Sequence, residues 1–198
     1  MNPVKETTAF YDTVARDYAR RWLNSDVMGE QVEYFLNHLK GRHILDAGCG
    51  SGRDALVFAN RGYRVAGIDL SRNLLALARS AAPEVTFVRM DMRFLGFAAQ
   101  SFEGLWACAS FLHVPEDQAL ATLRGFRCTL SPNGVLYLSV KEGDGPVWKV
   151  DSNGRTFQVR YREEVLRRMV EEAGFEVIRL VRSTGHAVFL DIFARRSS

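Results

Sequence analysis

Cysteine is scarce in this chain. Cys49, Cys108 and Cys128 are the only three. The number is odd and no two stand at metal-ligand spacing, so a disulfide framework and a zinc site both lack the residues they need. Reduced thiols, a cytoplasmic location and no metal are the expectations that follow. Long apolar runs are missing as well. Nothing approaches the roughly 20 residues that cross a bilayer, and the opening "MNPVKETTAFYD" has no apolar stretch of the kind a secretion signal carries. No membrane partner is therefore expected. Charge of one sign is absent too: 26 Lys and Arg stand against 23 Asp and Glu, a formal net charge of +3. The basic residues are scattered, not gathered into a block or stripe, which argues against nucleic acid as a partner. There is no internal repeat, no low-complexity tract and no Ser/His/Asp pattern.

What is present is an ordinary globular composition, 47% hydrophobic and 25% charged over 198 residues. That length favours one domain, residues 1–198, with a sizeable core. Two amphipathic stretches open it and make residues 1–40 helical. In "TTAFYDTVARDYARRW", Thr7 or Thr8 is the candidate N-cap, and Phe10, Val14 and Tyr18 recur at helical spacing. "GEQVEYFLNHL" repeats the pattern with Val32, Phe35, Leu36 and Leu39. Strands and helices then alternate: "HILDA", a helix stopped at Gly62, "RVAGID", a helix capped by Ser71, "VTFVRM", "GLWACAS", a helix from Pro115 with acids in its first turn, a turn at "SPNG", and "VLYLSV". Alternation of this kind predicts a parallel sheet with helices on both faces.

Residues 141–161 break the rhythm. "VWKVDSNGRTFQVRY" alternates around Asn153-Gly154, a hairpin signal. The helix "REEVLRRMVEEAG" follows, with Val165, Leu166, Met169, Val170 and Ala173 turned inward and Glu163–Arg167 and Glu164–Arg168 spaced to pair outside. "FEVIRLVRS" and "AVFLDIFARR" close the chain as an antiparallel pair, with His186 exposed in the turn between them. Edge strands carrying Arg179 and Arg182 are protected from further pairing, and both a monomer and a homodimer remain open.

Ligands of open α/β sheets bind at the carboxyl ends of the strands. That rule selects Asp46 to Arg53, Asp69, Asp91, Ala109 to His113 and the segment from Lys141. The loop glycines Gly48, Gly50 and Gly52 form G-x-G-x-G, not the G-x-G-x-x-G of a dinucleotide site. Asp46, ending the strand before the loop, suits an ammonium group better than a pyrophosphate. Asp69 accepts ribose hydroxyls in either class and does not discriminate.

"ILDAGCGSGRDA", "GIDLS", "VRMDM", "GLWACASFLHVPED" and "LSPNGVLYLSV", in order and spacing, resemble the motifs of class I S-adenosylmethionine-dependent methyltransferases. The resemblance covers about residues 40 to 195 and is nearest the small-molecule type, type 11/25-like, including tellurite- and thiopurine-methylating relatives. It implies a Rossmann-like α/β fold: a seven-stranded, mostly parallel sheet with helices on both faces and the last strand inserted antiparallel. Residues 41–198 would form the catalytic core, with a hairpin insertion at 141–161 and residues 1–40 as a lid.

The same resemblance implies S-adenosyl-L-methionine as cofactor and S-adenosyl-L-homocysteine as product. Asp46 would bind the methionine ammonium, with the backbone of Ala47, Gly48, Cys49 and Gly50 close by. Arg53, whose guanidinium presents a fork of donors, would meet the methionine carboxylate. Asp69 would hold the ribose and Leu70 the adenine face, with Asp91 and Met92 at its edge and Ala109 on the wall. His113 is the candidate base; its competing role is to order the turn it occupies. Tyr11, Tyr18 and Trp22 share one helical face, with Tyr18 over the methionine part and Tyr11 and Trp22 toward the acceptor; the competing role is a core stripe. Phe111, Trp148 and Tyr161 complete the expected acceptor pocket, near Arg155, Phe157, Arg160, Lys141 and Glu142. A small-molecule acceptor is the leading expectation. A protein or RNA acceptor, or a non-catalytic binding module, is the alternative.

Overall fold

A computed structural model describes residues 2–23, 28–185 and 187–197; His186 lies outside them. The chain opens with helix α1 (Pro3–Trp22) and α2 (Gly29–Asn37). The first cap differs from expectation. Asn2, not Thr7 or Thr8, caps α1, its side chain accepting from the amides of Val4 and Lys5 at 3.1 Å. Pro3 explains the shift, because its fixed φ suits the first helical position.

Strand β1 (His43–Ala47) leads through the glycine turn into α3 (Arg53–Asn60), then β2 (Arg64–Asp69), α4 (Arg72–Ala81) and β3 (Thr86–Arg89). Gly62 just past α3 has φ +80°, as a C′ glycine does. Ser71 caps α4 through the Leu74 amide. Strand β4 (Phe102–Cys108), a 3₁₀ turn (Phe111–His113), α5 (Glu116–Thr129) and β5 (Leu130–Lys141) follow. The expected turn at "SPNG" is a bulge within β5: pairing with β4 slips between Phe102 and Gly104, and Asn133 takes φ +63°.

The hairpin β6 (Gly145–Asp151) and β7 (Gly154–Arg160) forms a separate two-stranded sheet. Asp151 pairs with Gly154, so Ser152 and Asn153 make the turn. The turn sits one residue earlier than the Asn-Gly signal suggests, because the Asp151 carboxylate accepts from the Asn153 amide at 2.7 Å. Helix α6 (Glu163–Glu172) and strands β8 (Phe175–Thr184) and β9 (Val188–Arg196) complete the chain. On α6 the outer charges reach other partners than those expected: Glu163 meets Arg182 of β8 at 2.9 Å, and Arg167 lies 4.0 Å from Glu171.

The main sheet has seven strands in the order β3-β2-β1-β4-β5-β9-β8. β9, last in the chain, slots between β5 and β8 and runs antiparallel to both. Strand residues alternate between two cores. Leu45, Leu105, Leu136 and Ile192 pack toward α5 and α6. Ile44, Trp106, Tyr137 and Phe193 pack toward α2, α3 and α4. With both faces covered, an opening is left at the strand ends, and α1 lies across it.

Candidate functional site

At the end of β1 the chain turns at Gly48 (φ +80°) and Gly50 (φ +55°), a region that favours glycine. A Cβ on Gly48 would sit 2.3 Å from Cβ of Ser110, so that glycine lets two loops touch. At Gly50 the nearest atom is the Tyr18 ring at 3.4 Å, and the space beside it belongs to the cleft. The amides of Gly48 and Cys49 both donate to the Ile68 carbonyl, which ties the turn to β2.

The cleft has two lobes. Both include Val4, Gly48, Asp69, Leu70, Met92, Ser110 and His113. The larger has a cavity volume of about 110 Å³ and opens to solvent. Tyr11, Tyr18, Cys108 and Ala109 complete its wall, and Asp91 lines the smaller lobe. Ala109 takes φ +49°, its amide held by the Ser139 carbonyl at 3.0 Å.

Asp69 ends β2 with each carboxylate oxygen accepting one backbone amide, Gly50 at 3.0 Å and Ser71 at 2.8 Å. A carboxylate has roughly four acceptor sites, so both oxygens retain capacity toward the cleft. Asp46 is only 2% exposed, and its Oδ2 has no hydrogen-bond partner among the described residues. Burial, reinforced by the Asp54 carboxylate, pushes its pKa well up, while Arg53 pulls it the other way. A buried, unanswered acceptor is costly and fits a cationic donor.

Arg53 is otherwise engaged. Its fork binds the Asp54 carboxylate at 2.6 and 2.9 Å and touches Cys108 Sγ at 3.5 Å. Asp54 also accepts from Trp106 Nε1 at 2.8 Å. Asp91 is clamped by Arg93, whose Nε lies 3.0 and 3.1 Å from its two oxygens.

His113 joins three elements. Its Nδ1 lies 2.6 Å from the Phe157 carbonyl on β7, and its Nε2 lies 3.1 Å from the Tyr11 hydroxyl on α1. A carbonyl only accepts, so Nδ1 carries the proton and Nε2 accepts from Tyr11. Burial lowers the ring's pKa to about 4 despite the Phe157 carbonyl, so the ring is neutral at pH 7. The same burial holds the Tyr11 and Tyr18 phenols well above their ordinary value.

Other expected pocket residues lie elsewhere. Phe111 and Tyr161 are core residues, and the buried Tyr161 hydroxyl has no partner among the described residues. Trp148 packs against Phe157 with Arg155 4.3 Å over its ring. Trp22 is off the cleft wall, with Arg21 4.9 Å from its ring. The Cys49 side chain points into the α2–α4 core.

Sequence reasoning missed two residues. Ser110 donates to the Ala47 carbonyl at 2.6 Å and binds the two loops. Asp12 on α1 accepts from Ser71 Oγ at 2.6 Å and from the Asn73 amide at 3.1 Å. Asp12 adjoins Tyr11 in sequence, and that adjacency was its only signal. On the other side of α1, Glu6 pairs with Arg155 and Thr7 Oγ1 accepts from the Phe157 amide at 2.9 Å.

Residues 44–134 match the family described as "Methyltransferase domain". This is the stretch that contains the glycine turn, Asp69, Asp91 and His113. Residues 44–134 are a methyltransferase domain of the class I S-adenosylmethionine-dependent kind. Among relatives of this chain is the ubiquinone biosynthesis O-methyltransferase of Coxiella burnetii, 30% identical over 51% of this chain and 44% of that one. The O-methyltransferase resE of Aspergillus sclerotiorum is 31% identical over 76% of this chain and 61% of its own. The match therefore spans about half the length of the curated relatives. In fold, the chain is similar to the 1,6-didemethyltoxoflavin-N1-methyltransferase of Burkholderia thailandensis with bound 1,6-didemethyltoxoflavin and S-adenosylhomocysteine. The TM-score is 0.79 at 23% identity, over 100% of this chain and 92% of that one.

Proposed function

We propose that this chain methylates a small molecule, using S-adenosylmethionine held by the glycine turn and the carboxylates at the ends of β1 and β2. The observation that carries the reading is the unpartnered, buried Oδ2 of Asp46 beside that turn, close to an Asp69 whose oxygens retain acceptor capacity. An ammonium answers the first and a pair of ribose hydroxyls the second. The backbone of Ala47, Gly48, Cys49 and Gly50 forms the floor. Leu70, Met92 and Ala109 supply apolar wall, Asp91 shares its carboxylate with Arg93 at the adenine end, and Tyr18 covers the open side of Gly50.

When bound, S-adenosylmethionine supplies a methyl carbon that its sulfonium already makes electrophilic. The protein's share of the work is then to place an acceptor and exclude water, which is worth several kcal/mol or more. Helix α1 acts as the lid, and Tyr11 is held toward the cleft by His113. With Nε2 engaged and the ring's pKa near 4, His113 is a weak base at neutral pH and positions Tyr11 instead. The hairpin at 141–161 braces the lid and His113 from behind, through Arg155 and Phe157.

Isothermal calorimetry tests the reading first: S-adenosylhomocysteine binds and NAD does not. A panel of phenols, thiols, amines and carboxylates with methyl-labelled S-adenosylmethionine then finds the acceptor class. Binding of NAD without S-adenosylhomocysteine would overturn the proposal.

A further inference from the structure

Positive charge gathers at the base of the hairpin. Val147 stands opposite Gln158, Lys149 opposite Thr156 and Gly145 opposite Arg160. Opposed residues and every second residue share a face, and diagonal neighbours are about 7–8 Å apart. Lys149, Gln158 and Arg160 therefore lie on one face, with Gln158 between the two cations. From the end of β5, Lys141 Nζ donates to Gln158 Oε1 at 2.8 Å. Three cations thus gather around one buried amide. Among the described residues none of the three has an acidic partner. The acids of this region serve other groups: Glu6 pairs with Arg155, Asp144 lies 3.5 Å from Arg162, Glu142 lies 3.0 Å from Arg182, and Asp151, on the Lys149 face, accepts from the Asn153 amide at 2.7 Å. Lys141 registers the crowding. Burial lowers its pKa and the charges of Lys149 and Arg160 lower it further.

The cluster stands behind the cleft wall, one residue along β7 from a residue that braces it. Gln158 follows Phe157, whose carbonyl holds His113 on the cleft wall. We propose that Lys141, Lys149 and Arg160, arranged around Gln158, form an anion subsite that takes a carboxylate or phosphate group of the methyl acceptor. As an acceptor subsite it rests on the methyl-transfer reading; as an anion site it is measurable without it. Two ammonium groups and a guanidinium fork give an oxyanion charge-assisted donors from three sides. Neutral analogues would leave the cations facing one another.

Calorimetry on the full chain saturated with S-adenosylhomocysteine, using 4-hydroxybenzoate, phenyl phosphate and the neutral 4-hydroxybenzamide, tests this. The anionic probes bind at least tenfold tighter than the amide, and the preference weakens with added salt. In Lys141→Gln and Arg160→Gln the preference falls at least fivefold while affinity for S-adenosylhomocysteine is unchanged. Equal affinities for acid and amide, no binding of either anion, or a preference that survives both substitutions overturns the subsite. Inorganic phosphate binding as tightly as phenyl phosphate would assign the cluster to a free anion and overturn its place in acceptor recognition. Failure of S-adenosylhomocysteine to bind, with the anion preference intact, would remove the methyl-transfer reading and leave the anion site.

Discussion

Asp46 and Asp69 sit at the ends of neighbouring strands, yet their surroundings differ. Asp69 is held by two backbone amides; Asp46 has one oxygen shut away from any donor among the described residues. A carboxylate buried without a partner raises the free energy of the fold, and this is tolerable where a ligand later supplies the partner. The two consequences separate experimentally. Asp46→Asn removes the buried charge, so the ligand-free protein melts at a higher temperature. The same change weakens S-adenosylhomocysteine by about 1.5–3 kcal/mol, the range of a hydrogen bond to a charged group, or roughly ten- to a hundredfold. Scanning calorimetry and titration calorimetry on one preparation check both. A variant that loses stability and keeps its affinity would make Asp46 a structural acid. Gly48 makes a related point: its lack of a Cβ serves contact with Ser110, a protein group, and so a glycine in a binding loop need not face the ligand.

Helix α1 is the element on which the cleft depends. Three of its residues fasten it on two sides: Asp12 to the start of α4, and Glu6 and Thr7 to the hairpin. Asp12 acts as a second cap for α4, since its carboxylate accepts from Ser71 Oγ and the Asn73 amide where the helix dipole is positive. Loss of a cap costs about 1 kcal/mol. In Asp12→Ala, hydrogen exchange across α1 and the first turn of α4 is expected to speed up about fivefold, while β1, β4 and β5 keep their protection. S-adenosylhomocysteine should dissociate faster by a similar factor in stopped-flow displacement. Unchanged exchange and dissociation would show that Asp12 has no part in holding the lid.

Across the whole molecule, His113 is where lid, sheet and hairpin meet, and its titration reports on all three. Its folded pKa is about 4, against about 6.5 in an unfolded chain. Between those values the unfolded chain holds a proton that the folded one refuses, so stability falls as pH drops from about 6.5 toward 4 and is untouched above. The contribution approaches about 3 kcal/mol at the acid end. Urea unfolding of the wild type and of His113→Asn at several pH values should give stabilities with a constant offset above pH 7, the wild type alone falling below 6. An offset constant over the whole range would contradict the burial of a neutral ring. Much of this architecture is legible in the sequence. The alternation of strand and helix, Gly62 and Ser71 as helix punctuation, and the order of five motifs are local patterns, and the sheet, the glycine turn and Asp69 follow from them. The acceptor side is not legible in the same way. Tyr11 and Tyr18 reach the cleft wall, whereas Trp22 does not, and Phe111 and Tyr161 turn into the core, although all five are aromatics expected at the cleft. Arg53 is a good fork for a carboxylate, but the next residue, Asp54, already engages it. The sequence by itself determined which backbone forms the turn at the strand ends, because strand, turn and cap depend on residues a few positions apart. Only the tertiary structure decided which side chains meet around the cleft and behind it, because contacts such as Tyr11 with His113 or Lys141 with Gln158 depend on how distant segments pack.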